Sequence, residues 1–243
     1  MGKQLPAPTY GEALLANGCV LWETNDIVAI ATGFINKSSN IKTGPMIQIW
    51  ILVKNSHPVE ASQTGDDELI CGNCSHRWFL DGGCYVNLGQ APAQVWKAYQ
   101  AGSYSYDQEP YLEAVTKRKR KGRFGSYGDP ALIPVGIIQR WKQALDGDTG
   151  YTHQWLDYPE LAGVFQASVD SLEEKQLANA MGFKTFRVKR DDEPLERDEM
   201  YCPADLHPDI QCIKCLKCDG KTKNIAINGH GARKKKLRPK SCN

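Results

Sequence analysis

Between residues 123 and 190 the sequence switches repeatedly from short apolar runs to amphipathic stretches. That alternation restricts the fold more than any other feature of the chain. "RFGSYGD" (123–129) has the length and composition of a strand ending in Asp129. "PALIPVGIIQRWKQALDG" (130–147) follows with helical spacing, placing Ile137, Ile138, Trp141 and Leu145 on one face. "GYTHQW" (150–155) and "GVFQASVD" (163–170) are further short strands, the second ending in Asp170. "SLEEKQLANAMG" (171–182) is a helix with Ser171 as N-cap, Glu174 completing a capping box and Gly182 as C-cap. "KTFRVKR" (184–190) is the next strand. Strands and helices alternating with short links predict parallel β/α structure, because a parallel crossover needs a helix to return the chain. The fold class expected is α/β and barrel-like. A chain of 243 residues is short for a full eight-strand barrel, so the barrel is expected to be trimmed or incomplete.

Upstream, "DIVAIATGF" (26–34) and "MIQIWILV" (46–53) read as buried strands. The polar loop between them, "INKSSNIKTGP", reads as a turn. "APAQVWKAYQAG" (91–102) predicts a helix with Val95, Trp96 and Tyr99 inward, Pro92 near its start and Gly102 at its end. "QEPYLEAVTKRKRK" predicts a second helix running into a basic patch. The reading is one catalytic domain over residues 1–231, including a metal-binding segment at 202–230, then a basic tail at 232–243.

The nine cysteines fall mostly into two groups. Cys71, Cys74 and Cys84 lie in "CGNCSHRWFLDGGC", with His76 nearby. Cys202, Cys212, Cys215 and Cys218 form the second group, followed by His230 on a short strand. Cys19 and Cys242 stand apart and read as ordinary free thiols. The N-terminus has no apolar signal core and Pro6 stands where a myristoylation signal needs Ser or Thr, so a cytoplasmic chain is expected. In that setting clustered cysteines point to metal rather than disulfides. A C-x2-C pair brings two thiolates to one tetrahedral ion, and C-x2-C-x2-C suits three ligands to zinc or three irons of a cluster. The fourth ligand of the second group is Cys202 or His230. Cys71, Cys74 and Cys84 form a possible second metal site. A radical-forming iron–sulfur enzyme usually carries C-x3-C-x2-C after the first strand; here C-x2-C-x9-C follows the second.

Charge is distributed unevenly. "KRKRKGR" holds Lys117, Arg118, Lys119, Arg120, Lys121 and Arg123, and the tail holds six more basic residues. Together they leave eighteen Lys and Arg elsewhere against 28 Asp and Glu, so an acidic body carries two basic patches. Such patches suit DNA phosphates; a solvated loop and a solubilising tail are the alternative. No run of eighteen apolar residues exists to span a membrane.

Asp129 and Asp170 end predicted strands with one strand between them. At about 4.8 Å per strand step they lie on the order of 10 Å apart, room for a nucleobase and sugar. One could serve as nucleophile and the other as general acid/base; both could instead cap the helices that follow them. His153 could bind a ring or phosphate, or pack at the strand end. Tyr151, Thr152, Trp155 and Ser168 complete the candidate substrate site, with Tyr127, Tyr151 and Trp155 available to stack on a base.

"GSYGDP", "GYTHQW", "ASVDS", a cysteine cluster and a late histidine occur here in an order that resembles bacteriophage-encoded proteins of the tRNA-guanine transglycosylase superfamily. Its DNA-acting branch is the DpdA-type 7-deazaguanine transglycosylases. The resemblance covers about residues 120 to 231. It implies exchange of guanine in DNA for a 7-deazaguanine base, with Asp170 as nucleophile, Asp129 as acid/base, and a structural zinc on Cys212, Cys215, Cys218 and His230. The family spacing is C-x-C-x2-C, and Cys71, Cys74 and Cys84 have no counterpart in it. Two alternatives stand beside this one: an iron–sulfur, radical-type enzyme acting on nucleic acid or a nucleotide, and a non-catalytic zinc-stabilised DNA-binding phage protein.

Overall fold

The computed structural model describes residues 15–237. Three strands open it: β1 (Gly18–Glu23), β2 (Ile27–Thr32) and β3 (Ile47–Val53). They pair antiparallel, and every residue of β2 and β3 is buried. Continuous Val and Ile runs fit strands covered on both faces. Helices α1 (Pro58–Thr64), α2 (Glu68–Cys71), α3 (Ala91–Gln100) and α4 (Glu109–Lys117) follow β3. Then come β4 (Gly122–Tyr127), α5 (Val135–Ala144), β5 (Asp148–Thr149), β6 (Tyr151–Thr152), β7 (Gln166–Val169), α6 (Leu172–Ala180) and β8 (Thr185–Lys189). The chain finishes through β9 (Glu199–Tyr201), α7 (Pro203–Leu206), α8 (Cys212–Cys215) and β10 (Asn224–Asn228).

The expected parallel arrangement is present. β3, β4 and β5 pair parallel in a sheet of order β1-β2-β3-β4-β5. A second sheet, β6-β7-β8-β10-β9, is parallel throughout. The two meet at Gly150, whose N–H donates to Cys218 O and whose carbonyl accepts from Gln166 N. A Cβ there would lie 2.7 Å from the Phe165 ring, so the join requires glycine. No pairing among the described residues closes these sheets into a barrel; β1 and β9 are edges.

Two expectations shift locally. The helix expected from residue 130 begins later. Asp129 caps a 3-10 turn over Pro130–Leu132, Ile133 is extended, and α5 starts at Val135. Pro134 explains the break, since it disfavours helical backbone at the preceding residue. The second helix ends at Lys117 and does not continue through the basic run. The predicted apolar face of α5 is otherwise as read: Ile138 and Trp141 are fully buried. Ser171 caps α6 by accepting from Glu174 N (3.1 Å). Glu174 reaches back one residue further than a capping box requires, accepting from Asp170 N (2.7 Å). No helix among the described residues is long and apolar enough to cross a membrane.

Candidate functional site

A cavity of about 400 Å³ receives residues from both sheets and both cysteine groups. β4 sends Arg123, Gly125 and Tyr127 to its wall, every second residue, as strand geometry requires. Thr149, Tyr151 and His153 do the same from β5, β6 and the turn after it, and Phe186 and Val188 from β8.

The first cysteine group sits at the end of α2 and on the loop that follows it, where Arg77 fixes the backbone. This guanidinium is 5% exposed. It donates to Asp67 Oδ1 through Nε and Nη2 (3.0 and 2.9 Å), to Glu68 Oε2 (3.0 Å), and to the carbonyls of Gly72 and Gly65. Cys74 N donates to Cys71 O, and Cys84 N to His76 O, which folds the loop back on itself. Gly82 permits that fold, since a Cβ there would stand 2.4 Å from the His76 carbonyl carbon. Cys71, Cys74 and Cys84 all reach the cavity. Burial, and then the neighbouring thiols, push the Cys71 thiol well up. Burial and Cys74 push Cys84 up to about 11, against a backbone hydrogen bond at Val86 and the charge of His153.

Beside these thiols, His76, His153 and Asp170 place their ligating atoms within 4.8 Å of one another. His76 Nε2 donates to Asp170 Oδ1 (2.8 Å), Ser75 Oγ donates to Oδ2 (2.7 Å), and His153 Nε2 faces Oδ1 at 3.8 Å. Burial alone would raise the Asp170 carboxyl, but the two histidines outweigh it and hold the group far below the usual carboxylate range. Burial would likewise discharge His153; Cys74 and Asp170 override it and raise its pKa well above the ordinary value. Ser168 Oγ shares a hydrogen bond with His153 Nε2 (3.1 Å). Two imidazoles and one carboxylate could hold a divalent metal, and the same trio could equally hold or move a proton at His153.

Asp129 lines the cavity, but both its oxygens are occupied. Oδ1 accepts from Ala131 N (3.0 Å) and Oδ2 from His153 N (2.8 Å). Burial raises its carboxyl despite these bonds and one with Thr152. The capping role weighed from the sequence is therefore present at Asp129, and Asp129 also braces the turn that carries His153. Asp170 ends its strand as expected, yet it is not part of the cavity wall.

The other sequence candidates divide. Tyr151, His153 and Ser168 line the cavity. Thr152 is fully buried and its hydroxyl accepts from Gln154 N (2.9 Å). Trp155 is 3% exposed with its Nε1 donating to Ser168 O (3.2 Å), which makes it a core residue rather than a stacking platform.

In the second cysteine group, burial first and then the charges of Cys202, Cys212 and Cys215 raise the pKa of Cys218 well above the ordinary value, against Arg123. His230 instead stacks on Tyr85 (4.7 Å between centroids) and answers to burial, Lys42, Asp205 and Arg123. Cys202 is thus among the thiols whose charge reaches Cys218. The group packs against chain leading into β3 and β5: Cys212 N donates to Lys42 O, Ile213 N to Thr43 O, and Leu216 touches Gly147. That segment therefore lies at the starts of β3 and β5, whereas Cys202 follows the end of β9.

The basic run also divides. Lys117, Arg118 and Lys119 are exposed at the end of α4. Arg120 turns inward to the carbonyls of Gly33 and Pro45 (2.9 and 3.2 Å), and Arg123 enters the cavity. A uniform DNA-facing stripe from Lys117 through Lys121 to Arg123 is thereby corrected: strand alternation in β4 sends its arginine inside. Tail residues beyond Leu237 and Cys242 lie outside the described residues. His76 and Tyr85 were missing from the sequence-derived site; their proximity to Cys74 and Cys84 was the available signal.

No protein-family model matches the chain, and no curated protein or solved structure matches it.

Proposed function

We propose that the chain is an iron–sulfur enzyme acting on a nucleotide or nucleic acid. In this reading the two sheets form one open barrel wall, broken at Gly150, around the cavity. Cys71, Cys74 and Cys84 would hold the cluster, and Cys202, Cys212, Cys215 and Cys218 a structural zinc. The observation that carries the reading is position: the first cysteine group lies in the connection from β3 to β4, at the end of α2 and just after it, and β3 is the first strand of the parallel series, because β1 and β2 are antiparallel additions. The loop's apparent displacement to a later strand disappears once those two are set aside. The donor types suit a cluster: Cys71, Cys74 and Cys84 are each half-buried and all line the same cavity.

Such a cluster, when bound, supplies one-electron chemistry. The chain's own residues supply the rest. Asp170 keeps His153 charged and oriented, Ser168 fixes its ring, and Asp129 anchors its backbone. His153 can then give or take a proton at the cavity wall. Lys117 and Lys119 are exposed to phosphates outside it.

The test is purification without oxygen followed by iron, acid-labile sulfide and zinc analysis. A brown protein whose iron and sulfide vanish in Cys71→Ala is expected; a colourless protein holding only zinc overturns the reading. Guanine exchange in DNA has one observation in its favour, the placement of Asp129 on the wall at the end of a parallel strand. It has less support overall, because both Asp170 oxygens are engaged, by Ser75 and His76. Nucleoside analysis of DNA from expressing cells supplied with a 7-deazaguanine decides it. Modified DNA that disappears with Asp170→Ala would replace the iron–sulfur reading.

A further inference from the structure

Arg123, half-buried at the cavity wall, has no carboxylate partner among the described residues, unlike the two buried arginines. Arg77 pairs with Asp67 and Glu68, and Arg187 with Glu199 and Glu193. Arg123 gives only Nη2 to the protein, donating to the hydroxyls of Tyr85 (2.7 Å) and Tyr151 (3.0 Å). Nε and Nη1 make no hydrogen bond among the described residues. A half-buried guanidinium that turns two free donors to a cavity is suited to receive an anion there.

The two phenols add to that demand. Their oxygens are 2.9 Å apart, so one hydroxyl donates to the other. Both already accept from Arg123, which leaves one phenolic proton to give away. The cavity therefore presents donors here: Nε, Nη1 and one O–H. Lys42 and His230 line the same region. Next to it the wall turns apolar and flat. The Tyr151 ring stacks on Phe186 at 4.5 Å and 10°, and Val188 and Ile227 continue the surface.

We propose that Arg123, Tyr85 and Tyr151 seat the anionic oxygen group, phosphate or carboxylate, of a small ligand whose flat apolar body lies along Phe186, Val188 and Ile227. Arginine is suited to this because its planar fork matches either group with paired hydrogen bonds. A cavity of about 400 Å³ accommodates a ligand of mononucleotide size. The competing role is countercharge to the second cysteine group, since Cys212 is near Arg123. The proposal concerns the cavity named in the functional reading but not the identity of its metal.

The test titrates metal-loaded protein calorimetrically with guanosine 5′-monophosphate, guanosine, benzoate and inorganic phosphate, with zinc and iron content measured on each sample. Binding of the monophosphate or of benzoate, with guanosine at least about tenfold weaker, is expected. The monophosphate and benzoate arms tell phosphate from carboxylate. Arg123→Gln should weaken the anion about ten- to a hundredfold, the range for losing a hydrogen bond to a charged group, and should keep its zinc. Arg123→Lys, which retains charge without the fork, should fall between and serves if the Gln variant does not fold. Equal affinity for guanosine and its monophosphate, no binding of any probe, or zinc loss in Arg123→Gln with anion affinity per loaded molecule unchanged would each overturn it. Because iron is read separately, failure of the iron–sulfur assignment leaves this outcome distinct.

Discussion

The two sheets are held together by different physics. Around β2 and β3 the interior is apolar and continuous, running from Cys19 through Ile30, Ile49 and Ile51 to Phe124, Trp141 and Phe165. Around β8, β9 and β10 the separate apolar cluster has only three fully enclosed members, Phe186, Ile225 and Ile227, with Cys202 and Cys218 packed against it. Charge fills the remaining space. Arg187 donates to both oxygens of Glu199 (2.7 Å each) across the sheet, and Lys175 pairs with Asp198 (2.6 Å). A half with so small a core gains from a staple, and the proposed zinc on the four cysteines at its margin would be one.

The largest effect should therefore come from removing metal. Chelation, or the pair of substitutions Cys212→Ser and Cys215→Ser, should release residues 185–228 while 27–53 stay protected. Metal binding in isolated zinc modules contributes on the order of 10 kcal/mol, more than a cluster of three apolar side chains can replace. Hydrogen exchange read segment by segment would register the difference. Uniform protection, or uniform loss, would show that both halves share one source of stability.

The next effect belongs to the ion pair. Glu199→Ala strands Arg187, whose side chain is 2% exposed, and should cost about 3–5 kcal/mol. Burial would raise the Glu199 carboxyl, but Arg187 outweighs it and holds it below its ordinary value of 4.5. The sign follows: the contribution is present above that value and is lost as pH falls through the lower folded one. Urea unfolding of wild type and Glu199→Gln should thus show a gap at pH 7 that narrows in acid. A gap independent of pH would remove the pair as the source.

Legibility in the sequence follows the same division. β2, β3, α5 and α6 could be read because periodicity and capping are local and their apolar faces are long. β1 and β9 were missed; β9 has three residues and its key side chain is Glu199, which no hydrophobic pattern flags. The cysteine groups were visible from spacing, but where Cys202 and His230 lie relative to the other three depends on how β9 and β10 pair. Arg123 was read with its basic neighbours because sequence adjacency hides strand alternation. Asp170 was read as an open carboxylate because its partners, Ser75 and His76, lie some 95 residues away in the chain.

Asp129 should give the smallest effect and the sharpest division between bracing and chemistry. Its two oxygens accept one backbone N–H each, from the turn after β4 and the turn after β6. An asparagine keeps one acceptor and turns an N–H2 toward the other donor. Asp129→Asn should therefore cost about 1–3 kcal/mol, the penalty of one buried donor left unmade, and should lower the thermal midpoint by a few degrees. If Asp129 only braces the site, the variant should still bind the anion probe and load metal as wild type does. A normal midpoint with ligand affinity or turnover abolished would instead make Asp129 a group that touches substrate, and would move the chemistry from His153 to the end of β4.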